Sequence, residues 1–145
     1  MHTKIFLRDD CFAVRQAARQ ISQFYDRHLA GAGVTPSQFS ILTAVCQKQG
    51  QTMQQLARIM VMERTTVVRA LRPLLRCGFI VGVYDDQAKR RLTLEITDAG
   101  LAKQTEAAAF WRAAQEEFER RFGSAEAGQL RKELFRVTSD LADDE

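Results

Sequence analysis

The residues best suited to chemistry lie between Arg58 and Arg91. Eight basic residues (Arg58, Arg64, Arg69, Arg72, Arg76, Lys89, Arg90 and Arg91) stand there against three acids (Glu63, Asp85 and Asp86), a local net charge of +5. The rest of the chain holds 13 basic and 15 acidic residues, so the charge is concentrated rather than spread. Thr65, Arg69, Arg72 and Arg76 recur at helical spacing, and Arg64 and Thr66 belong to the same segment. At about 100° per residue the Thr/Arg stripe falls roughly 140–200° from Val67, on whose side Leu71, Leu74 and Leu75 cluster. Arginine presents a planar fork of donors that fits guanine edges and phosphate oxygens in pairs, and threonine a short hydroxyl for close surfaces. The expected chemistry is recognition of a polyanion. A merely solvated helix face usually mixes in Glu or Lys, and this stripe contains neither.

Other reactive side chains are sparse. Cys11, Cys46 and Cys77 are odd in number and widely spaced, with no C-x-x-C, which argues against a disulfide framework and a zinc site. Cys11, with Tyr25 fourteen residues on, is the redox candidate. A helix N-terminus would favour its thiolate, whereas Asp9 and Asp10 oppose it. Because unpaired cysteine is among the most buried residue types, a small hydrophobe in an interface is the favoured reading of Cys11. Cys46 and Cys77 are expected in the core or at helix ends. The histidines are His2 and His28, and no nucleophile elbow, phosphate-binding loop, dinucleotide fingerprint or metal-spaced cluster accompanies them. Neither catalysis nor a cofactor or metal is expected.

The elements that must position the basic stripe follow from the rest of the chain. Its 145 residues are 46% hydrophobic and 27% charged, which predicts one soluble globular domain over residues 1–145. No apolar stretch approaches the roughly 20 residues that span a bilayer, and Met1 to Asp10 lacks a signal-peptide apolar region. The expectation is a cytoplasmic protein without membrane contact. Two prolines and eight glycines leave room for long helices. A first helix is predicted from an Asp10 cap to about Ala30, stopped by Gly31-Ala32-Gly33. Thr35-Pro36-Ser37-Gln38 combines an N-cap, Pro at the first helical position and Gln three residues after the cap, opening a second helix to Gln49. Thr52-Met53-Gln54-Gln55 opens a short third, and a fourth, the Thr/Arg helix, spans about Arg64 to Cys77. Phe79 to Tyr84 and Leu92 to Ile96 read as strands around a polar turn, so Lys89, Arg90 and Arg91 sit at a hairpin tip. Thr97-Asp98 caps a fifth helix to about Phe122, and a sixth carries Leu130, Leu134, Val137 and Leu141.

This order, mainly α with a small β-hairpin wing, is that of a winged helix-turn-helix, in which a short third helix holds the fourth at an angle suited to a DNA major groove. The wing would add phosphate or minor-groove contacts. Arg64, Thr65, Thr66, Arg69, Arg72, Arg76, Lys89, Arg90 and Arg91 are therefore the predicted DNA-binding residues.

The same residues resemble a known family. The run Gly33-Val34-Thr35-Pro36-Ser37-Gln38-Phe39-Ser40-Ile41-Leu42 comes first, followed by Leu56-Ala57 and by Arg64-Thr65-Thr66-Val67-Val68-Arg69. Leu74, Gly78-Phe79-Ile80, Arg90 and Leu94-Glu95-Ile96-Thr97-Asp98-Ala99-Gly100 complete an ordered set similar to the multiple-antibiotic-resistance regulator (MarR) family over nearly the whole chain. The resemblance implies a homodimeric winged-helix regulator of transcription, usually a repressor. Residues of about 35–97 would form the DNA-binding lobe, and residues of about 1–30 and 98–145 would form dimerisation helices. It also implies a near-palindromic operator on double-stranded DNA and release by a small aromatic or amphipathic effector in the cleft between the dimerisation helices and the winged lobe.

Two residues depart from the family pattern. The family usually carries an Asp two residues before its wing Arg, where this chain has Ala88. Asp85 or Asp86 would substitute, or Arg90 and Arg91 would act as a looser cationic pair. Pro73 inside the fourth helix removes one backbone hydrogen bond and is expected as a tolerated kink. Cys11 and Tyr25 are similar to the peroxide-sensing branch of the family, but Pro36 stands where that branch has a second tyrosine, which favours the ligand over the oxidant. The other alternative is a winged-helix module that binds an acidic protein instead of DNA.

Overall fold

The structure, a computed structural model, describes residues 6–85 and 91–143. It divides into two compact units, Met1–Trp111 and Arg112–Glu145. In the first unit, α1 spans Asp10–Leu29 and is capped by Asp9, whose carboxylate accepts the Phe12 N–H at 3.0 Å. The cap thus falls one residue before the expected Asp10, which instead supplies negative charge to the first turn. A 3₁₀ turn at Ala30–Ala32 and Gly33, at φ 73°, close the helix. Of the apolar side chains along α1, only Leu29 is buried, while Phe12, Ile21, Phe24 and Tyr25 are half-buried.

Helix α2, Pro36–Gln47, starts on the predicted capping box: Thr35 Oγ1 accepts the Gln38 N–H at 3.2 Å, and Gln38 Oε1 accepts the Thr35 N–H at 3.0 Å. It ends two residues short of Gln49. The sheet takes those residues: Gln49 Oε1 accepts the Ile96 N–H at 2.9 Å, and the Gly50 N–H donates to the Leu94 carbonyl at 3.0 Å. A two-residue strand β1, Gln51–Thr52, follows, which the sequence pattern did not reveal. Thr52 also caps α3, Met53–Met60, through a second capping box with Gln55. Gln51 is buried, and its Nε2 donates to the Ala44 carbonyl at 2.7 Å, fastening β1 to the end of α2. Val61 closes α3 at φ 52°, an unusual conformation for a β-branched residue.

Helix α4 spans Arg64–Arg76, β2 spans Ile80–Asp85 and β3 spans Arg91–Ile96. The sheet is antiparallel in the order β1-β3-β2, with Ile80 opposite Ile96, Gly82 opposite Leu94 and Asp85 opposite Arg91. Leu29, Phe39, Ile41, Leu42, Val45, Leu56, Val67, Leu71, Leu74, Ile80 and Leu94 form one core beneath the helix-turn-helix and the sheet. Helix α5, Asp98–Phe122, begins where β3 ends. Thr97 makes the joint. Its N–H donates to the Phe79 carbonyl at 3.0 Å, its hydroxyl donates to the Gly78 carbonyl at 2.6 Å, and the same oxygen accepts the Gly100 N–H at 3.0 Å. Lys103 Nζ adds a bond to the Ala32 carbonyl at 3.1 Å.

The second unit contains the end of α5 and α6, Ser124–Asp140. Phe118 and Phe122 stack with ring centroids 5.3 Å apart, and Glu117 pairs with Arg120 and Arg121. Phe135 and Leu141 are 68% and 78% exposed, a heavy apolar load for a water-facing surface.

Gly100 is buried, and a Cβ there would overlap the Phe79 carbonyl oxygen and press on Ile96. Gly100→Ala is therefore expected to separate the start of α5 from the residues that follow α4. The expected loss is about 1–3 kcal/mol of unfolding free energy, read by urea denaturation against wild type.

Candidate nucleic-acid interface

Helix α4 buries Val67, Leu71 and Leu74, so its opposite face is turned to solvent. Thr65, Thr66, Arg69, Arg72 and Arg76 are all exposed. They lie on one exposed stretch of a 13-residue helix with no acidic residue in its first turn. Leu75, grouped by angle with the core, is 41% exposed. It sits at the rim of the apolar stripe, near the helix end, where fewer neighbours cover it. The helix runs through Pro73 to Arg76, and the Pro73 carbonyl accepts the Cys77 N–H at 3.0 Å. Proline's missing N–H removes one bond of the ladder, and the helix continues past it.

Arg64 behaves differently from the stripe. As the first residue of α4 it lies about 110° around the helix axis from the middle of the Thr/Arg face. The structure brings it instead to a hollow shared with Arg58 of α3 and Arg91 of β3. Arg91 opens the second strand of the wing opposite Asp85, at the base of the hairpin tip. Lys89 and Arg90, as well as Ala88 and Asp86, lie outside the described residues. Sequence reasoning counted Arg58 in the basic run but assigned it no role. The missing signal was tertiary, because Arg58 reaches this hollow from a different helix.

A second hollow, of about 470 Å³, is bounded by Phe39, Thr43 and Gln47 of α2, Ile59 and Met60 of α3, and Trp111 of α5. Phe39 and Trp111 stack across one wall with centroids 6.0 Å apart.

The redox candidates do not meet. Cys11 is exposed and Tyr25 half-buried on the same helix, about 21 Å apart along its axis, so no thiol–hydroxyl bond forms within one chain. Cys46 is half-buried in the last turn of α2 and Cys77 is exposed at the C-cap of α4, both helix-end residues as expected. His28 Nδ1 lies 3.0 Å from the Phe24 carbonyl of its own helix, and among the described residues no group of His, Cys, Asp and Glu could hold a metal ion. No single described helix is long and apolar enough to cross a membrane.

The MarR family profile matches residues 32–91, which contain the helix-turn-helix and most of the sheet. Over nearly the whole chain, the crystal structure of the M. tuberculosis transcriptional regulator MosR is similar at 30% identity and a TM-score of 0.80, covering 93% of this chain and 96% of MosR. The chain belongs to the MarR family. MosR in complex with DNA is similar at 32% identity and a TM-score of 0.80, over 91% of this chain and 95% of that one. The repressor CouR bound to a 23-mer DNA duplex shares the fold, with a TM-score of 0.85 at 20% identity over 92% and 94% of the two chains. Among curated protein sequences, none matches. The MarR-family fold and its DNA-bound relatives make the chain a DNA-binding transcriptional regulator, and the exposed Thr/Arg face of α4 is its candidate reading surface.

Proposed function

We propose that the chain is a repressor that binds a near-palindromic operator as a homodimer and is released by a small aromatic or amphipathic ligand. The observation that carries the DNA reading is the exposed, acid-free stripe of Thr65, Arg69, Arg72 and Arg76 opposite the buried ridge of α4. Arg69 and Arg72, in the middle of that face, pair with base edges, and Thr65 and Thr66 make close contacts at its start. Arg64, Arg76, Lys89, Arg90 and Arg91 neutralise phosphates. Arg69→Ala or Arg72→Ala should cost about 1–3 kcal/mol of operator binding and relax base preference. Replacing Arg90 and Arg91 by Ala should weaken all duplexes alike and flatten the salt dependence, both read by fluorescence anisotropy on selected and scrambled duplexes. Wing variants that change base preference while Arg69→Ala preserves it would reverse these roles. A basic face that bound an acidic protein and no duplex would favour the protein-interaction alternative.

Dimerisation through the terminal helices, α1, α5 and α6, is supported by the apolar side chains that each unit leaves uncovered: Phe6, Leu7 and Leu101 in the first, Phe135 and Leu141 in the second. Two subunits would set their α4 helices about 34 Å apart, one turn of DNA, which is why the operator should be near-palindromic. Sedimentation equilibrium at micromolar concentration should give twice the 16.5 kDa chain mass, and a monomer would sink the proposal.

Release is assigned to the hollow beside Phe39 and Trp111, whose walls come from both the winged lobe and α5, the cleft implied by the family resemblance. CouR, which shares the fold, is known bound to p-coumaroyl-CoA, an aromatic acyl thioester, which supports an aromatic class of effector. Trp111 is the one tryptophan of the chain, so its fluorescence reports directly on that hollow. A ligand that frees the DNA should quench or shift this emission in the same concentration range. Release by stoichiometric peroxide in wild type but not in Cys11→Ser, with no ligand effect, would favour oxidation of Cys11 instead.

A further inference from the structure

Three arginines from three separate elements line one polar hollow of about 380 Å³. Arg58 comes from the last turn of α3, Arg64 from the first position of α4 and Arg91 from the first position of β3, and Thr52, Gln54 and Gln55 line the hollow beside Met53 and Leu92. No carboxylate is among its described lining residues. The arrangement is suited to an oxyanion with several acceptor oxygens, because guanidinium forks grip such groups in pairs.

We propose that this hollow seats one backbone phosphate of the bound duplex, which makes Arg58 a DNA-contacting residue. The inference rests on the DNA reading of α4. The hollow lies beside the first turn of α4 and at the base of the wing, between the two elements assigned to the duplex. The phosphate then does more than add affinity. It ties Arg91 on the wing to Arg58 and Arg64 on the helix-turn-helix, so that the two parts engage the duplex in one register. The position of Arg64, well around the helix from the Thr/Arg stripe, fits this role and not base contact.

The test uses the full chain, as wild type, Arg58→Ala and Arg58→Lys. The duplexes are one selected from random sequence by the wild type and one scrambled, each titrated over a range of NaCl. Arg58→Ala should weaken both duplexes equally, by about tenfold near 0.15 M salt, and reduce the slope of log affinity against log salt by about one per protomer. Arg58→Lys should retain the slope. Thermal unfolding should stay at the wild-type midpoint, since the Arg58 side chain is exposed. A methylphosphonate placed at successive positions should find one phosphate whose neutralisation weakens wild type but leaves Arg58→Ala unaffected. Wild-type affinity and slope in Arg58→Ala, or an altered base preference, would overturn the phosphate seat while leaving the DNA reading of α4 intact. Inorganic phosphate that binds saturably, is lost in Arg58→Ala and leaves DNA affinity unchanged would assign the hollow to a free anion and overturn it too. A wild-type chain that binds neither duplex would bring down the DNA reading and this inference together.

Discussion

The burial of one ridge on α4 governs the rest of the molecule. Val67, Leu71 and Leu74 are at most 2% exposed, and they pack in a core shared with Leu56 of α3, Ile80 of β2 and Leu94 of β3. Fully burying side chains of this size stabilises by roughly 1.5–3 kcal/mol each, far more than any single surface interaction can offset. Rotating the helix to hide its arginines would expose the ridge and bury the charges. The core therefore holds the Thr/Arg face outward.

Beyond the apolar packing of β2 and β3, the start of α5 is held by hydrogen bonds. Thr97 satisfies backbone groups of Gly78, Phe79 and Gly100 at once, so the start of α5 and the residues that end the α4 turn share one set of bonds. Lys103 extends the joint to the turn after α1 and lies 5.9 Å from the Phe79 ring. A change in the direction of α5 in the first unit must therefore move the end of α4, since an unpaired buried backbone group is costly. That coupling is what a ligand between α2, α3 and Trp111 would act upon. Its energetic requirement is modest, since a few kcal/mol of preference for a non-binding arrangement changes occupancy by orders of magnitude.

Charge is distributed to match this mechanical frame. The stripe on α4 can address base edges, whereas Arg58, Arg64 and Arg91 gather where α3, α4 and β3 meet. A single helical projection cannot distinguish these two sets, because membership of the second depends on where other elements end. The sheet contributes as well. By pairing with both β1 and β2, β3 holds Arg91 in register with the helix-turn-helix instead of leaving the wing as an isolated hairpin.

The sequence by itself determined the helices, the capping boxes of α2 and α3 and the polarity of α4, because these depend on interactions within a few residues, whereas the cap of α1 fell at Asp9 and not Asp10. Thr35 with Gln38 and Thr52 with Gln55 form capping boxes, and the Val67, Leu71, Leu74 spacing faces the core. The ordered family residues likewise carried the fold class, since local signals and chain order are enough to specify a winged helix-turn-helix. Tertiary structure alone decided the features that need partners distant in the chain. Strand β1 is two residues long, has no periodicity of its own and exists because β3 offers it hydrogen bonds. Helix α2 ends early because the same strand claims Gln49 and Gly50, and Phe12, Ile21, Phe24 and Tyr25 of α1 stay half-exposed because little in their own unit covers them. Arg58 changes from one cation in a run to one wall of a three-arginine hollow for the same reason: convergence in space is a property of packing, which no local spacing encodes.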